Sequence, residues 1–207
     1  MPDRTDLPDL STPSLLLDEA RMARNIDRLA VRAAALRVAL RPHLKTVKSV
    51  EIARRLIGGT NGPVTVSTLV EAEAFFATGI TDILYAVGIA PQKLPRVQAL
   101  RAKGCDLTVI LDNLAQAEAL VSAGAPIPAL IEIDCDGHRG GLRPDDPALV
   151  ALGRRLHAAG SLRGVMTHAG ESYNVSGETA HSAFAEKERG AAVGAARALR
   201  AAGLPCP

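Results

Sequence analysis

Lys45 lies in the stretch Val38-Ala39-Leu40-Arg41-Pro42-His43-Leu44-Lys45-Thr46-Val47-Lys48, an apolar run that turns polar and basic. A lysine whose stem sits among apolar groups, beside other cations, has its charged form disfavoured. The neutral amine that results is the form that condenses with an aldehyde or a carbonyl substrate to give a Schiff base. Two later clusters carry further polar chemistry. Glu132-Ile133-Asp134-Cys135-Asp136-Gly137-His138-Arg139-Gly140-Gly141 offers two aspartates, a histidine and an arginine. Thr167-His168-Ala169-Gly170-Glu171-Ser172-Tyr173-Asn174 offers His168, Glu171 and Tyr173.

Each of these residues also has a plainer role. Lys45 serves equally as a solvated strand end, and His43 beside Pro42 as a strand cap. His138 reads as a solvated loop residue, Arg139 as a structural partner of Asp134 or Asp136, and His168 as a core histidine. Glu171 is three residues from His168, but two donors do not make a metal site. No serine occupies a Gly-x-Ser-x-Gly elbow, which argues against a serine hydrolase.

What could bring these residues together is a repeating strand–helix order. Asp18 reads as the N-cap of a helix with the apolar stripe Met22, Ile26, Leu29, Ala33 and Leu36. The stretch ending at Lys45 reads as a first buried strand, followed by a short helix that stops at Gly58-Gly59. Further strands are expected at Val64–Val66, Ile83–Val87, Leu107–Leu111, Ala129–Ile133 and Gly164–Thr167. Between them lie helices opened by Thr68 with Glu71, by Asn113 with Gln116, and by Asp146 before Pro147. Glycines at 79, 104, 124 and 160 close the intervening helices, and a long last helix runs from about Glu178 to Gly203.

Alternating strands and helices with continuous apolar strands predict an α/β fold with a parallel sheet covered on its faces. About six βα units are expected, against the eight of a closed (β/α)8 TIM-type barrel. A doubly wound open sheet is the alternative, but the first unit lacks a dinucleotide fingerprint. In both architectures functional groups gather beyond the C-terminal ends of the strands, which is where Lys45, Arg139 and His168 fall.

The 207 residues, 47% hydrophobic and 22% charged with a net charge of +2, fit one globular domain over 1–207. The interspersed charges point away from a nucleic-acid or membrane-surface partner. Cys105, Cys135 and Cys206 are far apart, which argues against a zinc cluster or a secreted disulfide scaffold. The N-terminus Met-Pro-Asp-Arg-Thr-Asp lacks the apolar segment of a signal peptide, so a cytoplasmic location is expected.

A lysine, an arginine, a histidine and a tyrosine on one rim are what bound pyridoxal phosphate needs: an imine, a cation for the phenolate, and groups to hold the ring. Arg41-Pro42-His43-Leu44-Lys45-Thr46-Val47-Lys48 resembles the cofactor-lysine motif of D-threonine aldolases and D-serine dehydratases. These pyridoxal-phosphate enzymes share the alanine racemase barrel. Thr12-Pro13-Ser14-Leu15-Leu16-Leu17-Asp18, the Glu132–Gly141 stretch and the His168–Tyr173 stretch resemble the same group, in the same order.

The resemblance implies a lyase acting on D-3-hydroxy amino acids, with Lys45 carrying the cofactor and His43 supporting it. Arg139 would lie by the phenolate oxygen, and His168 and Tyr173 near the ring and its nitrogen. It also implies a divalent metal, manganese or zinc, with ligands from a C-terminal β domain outside this chain, and a homodimer for the full-length enzyme. The chain departs from the group at Val47, where histidine is common, and by stopping before the last barrel strands, so a truncated barrel is expected. An amino-acid racemase of the same fold and a non-catalytic pyridoxal-phosphate-binding protein are the competing readings. D-threonine separates the lyase from the racemase, because an aldolase releases glycine and acetaldehyde and a racemase does not.

Overall fold

The computed structural model describes residues 10–59 and 61–207. The N-terminal stretch read for a signal peptide lies outside them, as does Thr60 in the loop after Gly58-Gly59. The chain divides into two compact units, Met1–Leu40 and Arg41–Pro207.

The first unit is built on helix α1 (Glu19–Leu36). Asp18 caps it as expected, accepting from the Arg21 amide at 2.8 Å. Arg37 ends it in the left-handed conformation, donating its N–H to the Ala33 and Ala34 carbonyls. The apolar stripe forms, but only Ala33 in this helix is buried, and Leu29 and Leu36 are more than half exposed.

The second unit contains strands β1 (Val64–Val66), β2 (Asp82–Gly88), β3 (Asp106–Leu111), β4 (Ala129–Ile133) and β5 (Leu162–Thr167). Its helices are α2 (Val50–Ile57), α3 (Leu69–Phe76), α4 (Leu94–Ala102), α5 (Leu114–Ser122), α6 (Ala148–Ala158) and α7 (Glu178–Ala201). All strand pairs are parallel, and the order across the sheet is β1-β2-β3-β4-β5. A doubly wound sheet reverses its strand order at a switch point. Here the order never reverses, so right-handed crossovers keep the helices on one side and leave the other face concave, as in an incomplete (β/α) barrel.

The strands are read by alternation. Val64, Val66, Ile83, Tyr85, Val109, Leu111, Ala129, Ile131 and Ile133 are buried in the core with Leu69, Phe75, Leu120 and Leu152 of the helices. Residues one step out of phase (Thr65, Leu84, Glu132, Met166) point to the concave face and line its cleft. The capping box expected at α3 is complete: Thr68 Oγ1 accepts from the Glu71 amide, and the Glu71 carboxylate accepts from the Thr68 amide.

One strand is a correction. The run ending at Lys45 is not a strand: Val38 is exposed, and pairing is reduced to a single bridge between His43 and Thr65. Only the Pro42 carbonyl and the Leu44 amide exchange hydrogen bonds with Thr65. Pro42 has no N–H to extend that ladder, and the chain turns immediately afterwards, over Leu44–Val47.

Candidate active site

The concave face opens into a cleft of about 580 Å³ lined from every strand. Thr65 and Ser67 follow from β1, Leu84, Ala86 and Gly88 from β2, Asp112 from β3, Glu132 from β4, and Met166 and His168 from β5. The spacing of two along each strand is the signature of one sheet face. At β2 the register slips between Tyr85 and Gly88, and the resulting bulge brings Val87 into the lining as well.

Lys45, His43, Arg139 and His168 all line this cleft. Lys45 stands exposed on its turn rather than among apolar groups at a strand end. Its backbone N–H donates to His43 Nδ1 at 3.3 Å, and His43 Nε2 lies 3.3 Å from Ser67 Oγ. Burial first, and the nearby Lys45 charge second, push the His43 pKa below its usual value.

Arg139 rides on the loop after β4. Asp134 Oδ1 accepts from the amides of Asp136 and Gly137, folding the loop, and Leu142 returns to bridge Ile133. Gly141 permits that return. It has φ +118°, and a Cβ there would sit 2.6 Å from the Asp134 nitrogen. Its N–H donates to Asp112 Oδ2 at 3.0 Å, fastening the loop to the end of β3. Among the described residues Arg139 makes no ion pair with Asp134 or Asp136; those carboxylates accept from loop amides, including that of Glu171.

His168 ends β5. Its Nε2 is buried without a hydrogen-bond partner. Burial, then the charges of Arg139 and Lys45, lower its pKa, so the ring is neutral at neutral pH and Nε2 is available to an added group. Tyr173 does not join this set. It sits on a 3-10 turn (Gly170–Asn174), 79% exposed, and is absent from the cleft lining. His138, read as a loop residue, pairs through Nδ1 with Glu171 Oε1 at 3.0 Å.

Among the polar lining residues that escaped the sequence reading of the site are Ser67, Asp112 and Glu132. The rule that picked Lys45 and His168 also covers Ser67 and Asp112, which directly follow β1 and β3. Glu132 was visible as the lone charge in the apolar run Ala-Leu-Ile-Glu-Ile. Burial, and then the neighbouring Asp112 carboxylate, raise its pKa. Among the described residues no three His, Cys, Asp or Glu side chains gather to hold a metal ion, and no helix is long and apolar enough to cross a membrane.

The profile of the alanine racemase N-terminal domain matches residues 17–207. The chain belongs to that family. It is 52% identical over 204 residues to D-threo-3-hydroxyaspartate dehydratase of Delftia sp. strain HT23, covering 96% of this chain and 54% of the relative. The solved structure of that dehydratase superposes with a TM-score of 0.92 at 51% identity over the same shares. D-serine dehydratase of Dictyostelium discoideum is 30% identical, covering 81% of this chain and 47% of the relative. The structure of D-threonine aldolase from Filomicrobium marinum gives a TM-score of 0.84 at 32% identity, covering 97% and 56%. This alanine racemase-family chain thus spans about half the length of the relatives it matches. The resemblance to D-threonine aldolases and D-serine dehydratases and the incomplete barrel expected from the sequence are both met. Relatives of this kind are pyridoxal-phosphate-dependent dehydratases and aldolases of D-hydroxyamino acids.

Lys45, Arg139 and His168 fit such a cofactor. An exposed amine and, with no partner among the described residues, a guanidinium free of ion pairs and an imidazole nitrogen face one cleft large enough for a substituted pyridine ring.

Proposed function

We propose that this chain carries the cofactor site of a pyridoxal-phosphate-dependent lyase acting on D-3-hydroxy amino acids, dehydration of a D-3-hydroxy acid being favoured over aldol cleavage. The observation that carries the reading is the convergence of Lys45, Arg139 and the unpartnered His168 Nε2 on one cleft. The 52% identity to a D-threo-3-hydroxyaspartate dehydratase supports the choice of reaction.

When bound, pyridoxal phosphate supplies an electron sink for charge developing at the substrate α carbon. The residues supply position and proton handling. Lys45 Nζ is the amine that meets the aldehyde and afterwards the base that holds a proton beside the α carbon. Arg139 would hold the ring oxygen by charge-assisted hydrogen bonding. His168, neutral at working pH, would offer Nε2 to the ring, and His43 steadies Lys45 through its backbone amide. Tyr173, exposed and off the lining, is given no part. By family likeness the intact enzyme also carries a divalent cation, manganese or zinc, on a C-terminal β domain, to draw charge from the departing hydroxyl. A mutant D-threo-3-hydroxyaspartate dehydratase has been solved in a metal-free form. By family likeness the intact enzyme is read as a cytoplasmic homodimer with a small D-amino acid as substrate.

The test is covalent labelling. The protein is mixed with pyridoxal phosphate, reduced with borohydride and digested, and the label is expected on Lys45 and absent from Lys45→Ala. A label spread over surface lysines would sink the assignment. Product analysis then separates the chemistry. With D-threo-3-hydroxyaspartate, ammonia and a keto acid mark a dehydratase, glycine and an aldehyde an aldolase, and the L isomer a racemase.

A further inference from the structure

Lys45 is held in a way that a lysine on a regular strand is not. Its backbone N–H has a proton to give, so the His43 Nδ1 it meets at 3.3 Å must carry a lone pair. In the neutral ring the proton is then on Nε2, and Ser67 Oγ, 3.3 Å away, is its acceptor. The Ser67 backbone is itself fixed, its N–H donating to Glu71 Oε2 at 2.8 Å. The far end of the same turn is caught by the same residue, Lys48 Nζ lying 3.3 Å from Glu71 Oε1.

We propose that Ser67 is a positioning residue: by accepting from His43 Nε2–H it leaves Nδ1 as the acceptor for the Lys45 amide, so the placement of Lys45 is set from the start of α3. Protonation of His43 places a hydrogen on Nδ1 facing the Lys45 N–H and abolishes that bond. The charged and titratable groups that act on His43 are Lys45 on its own turn, Glu71 from α3 and His168 from the end of β5. The consequence for catalysis rests on the reading of Lys45 as the cofactor lysine; the hydrogen-bond arrangement does not.

Nitrogen-15 NMR of the protein without cofactor tests the arrangement directly. The wild type is expected to show neutral His43 protonated on Nε2, with a through-hydrogen-bond coupling between Nδ1 and the Lys45 amide nitrogen. Lys45 amide protection is expected to fall as His43 takes up a proton. In Ser67→Ala the coupling is lost, Lys45 amide exchange rises roughly fivefold, and His43 titrates at lower pH, because the lost acceptor served the imidazolium best. Ser67→Thr, which keeps the hydroxyl, restores all three. Persistence of the coupling in Ser67→Ala overturns the proposal, as does a Ser67→Thr protein that behaves like Ser67→Ala. Wild-type Lys45 protection that ignores His43 protonation overturns it without any variant. Correct His43 behaviour in a protein that takes no label on Lys45 upholds this arrangement and removes the cofactor reading alone.

Discussion

Lys48 Nζ and Glu71 Oε1 stand 3.3 Å apart, across the gap between the end of the Lys45 turn and the first turn of α3. The glutamate thereby serves two structures: it completes the capping box of α3 and pins the turn. Burial pushes its carboxyl upward, but the Ser67 amide and the Lys48 ammonium outweigh that and hold it below the usual carboxylate range. Glu71→Ala is expected to lower stability by about 1–2 kcal/mol, the scale of a lost cap. Glu71→Gln, which keeps an acceptor oxygen, is expected to lose less. Denaturant midpoints of the two variants check this.

Gly141 and Gly137 separate two effects of a side chain in the Arg139 loop. Both have positive φ, but a Cβ at Gly137 meets nothing within 4 Å, whereas at Gly141 it meets the Asp134 nitrogen at 2.6 Å and the Ile133 carbonyl carbon at 2.7 Å. Gly137→Ala is expected to lose about 1 kcal/mol from left-handed strain alone. Gly141→Ala is expected to lose more than about 3 kcal/mol and to displace Arg139. Equal thermal shifts for the two variants would refute the distinction.

His43 and His168 both have pKa values below the ordinary 6.5. A group depressed on folding contributes stability above its unfolded pKa, and that contribution is lost as pH falls from there toward the folded value, because the unfolded chain binds the proton first. The unfolding midpoint is therefore expected to drop as pH falls below the ordinary 6.5. In His168→Gln the drop is expected to be shallower. Denaturation curves across that range read the slope.

Glu132 has the opposite sign. Its raised pKa means the ionised carboxylate is disfavoured in the fold, so its contribution is present below the usual 4.5 and lost as pH rises through the folded value. Glu132→Gln is expected to stabilise the protein by up to about 1 kcal/mol near neutral pH and to give no gain near pH 4. A variant equally stabilised at both pH values would contradict this account.

The three thiols are buried, and burial pushes Cys105 up to about 11. Since the thiolate is the reactive form, the folded protein is expected to resist alkylation at pH 8 and to react at all three positions in denaturant.

Much of this was legible in the chain. The apolar runs of β1 to β5 and the caps at Asp18, Thr68 and Asn113 are decided locally, by burial on the sheet and by side chains reaching amides two or three residues away. The run Val38–Leu40 has the same apolar composition yet forms no strand, because a strand also requires a partner ladder, and pairing begins only at Pro42. Arg139 and His168 could be found from the ends of β4 and β5, whereas Lys45 was reached through a strand that does not form. Glu132 depends on which face its alternating position takes, and Tyr173 on a turn that no periodicity governs.

The reduced pairing before Lys45 bears on how the cleft opens. Among the described residues, two backbone hydrogen bonds to Thr65 tie this segment to the sheet, whereas its neighbours sit in continuous ladders. Local opening is easiest where few backbone bonds must break. The amine-bearing rim is thus expected to exchange its backbone amide hydrogens before the strands beneath it do.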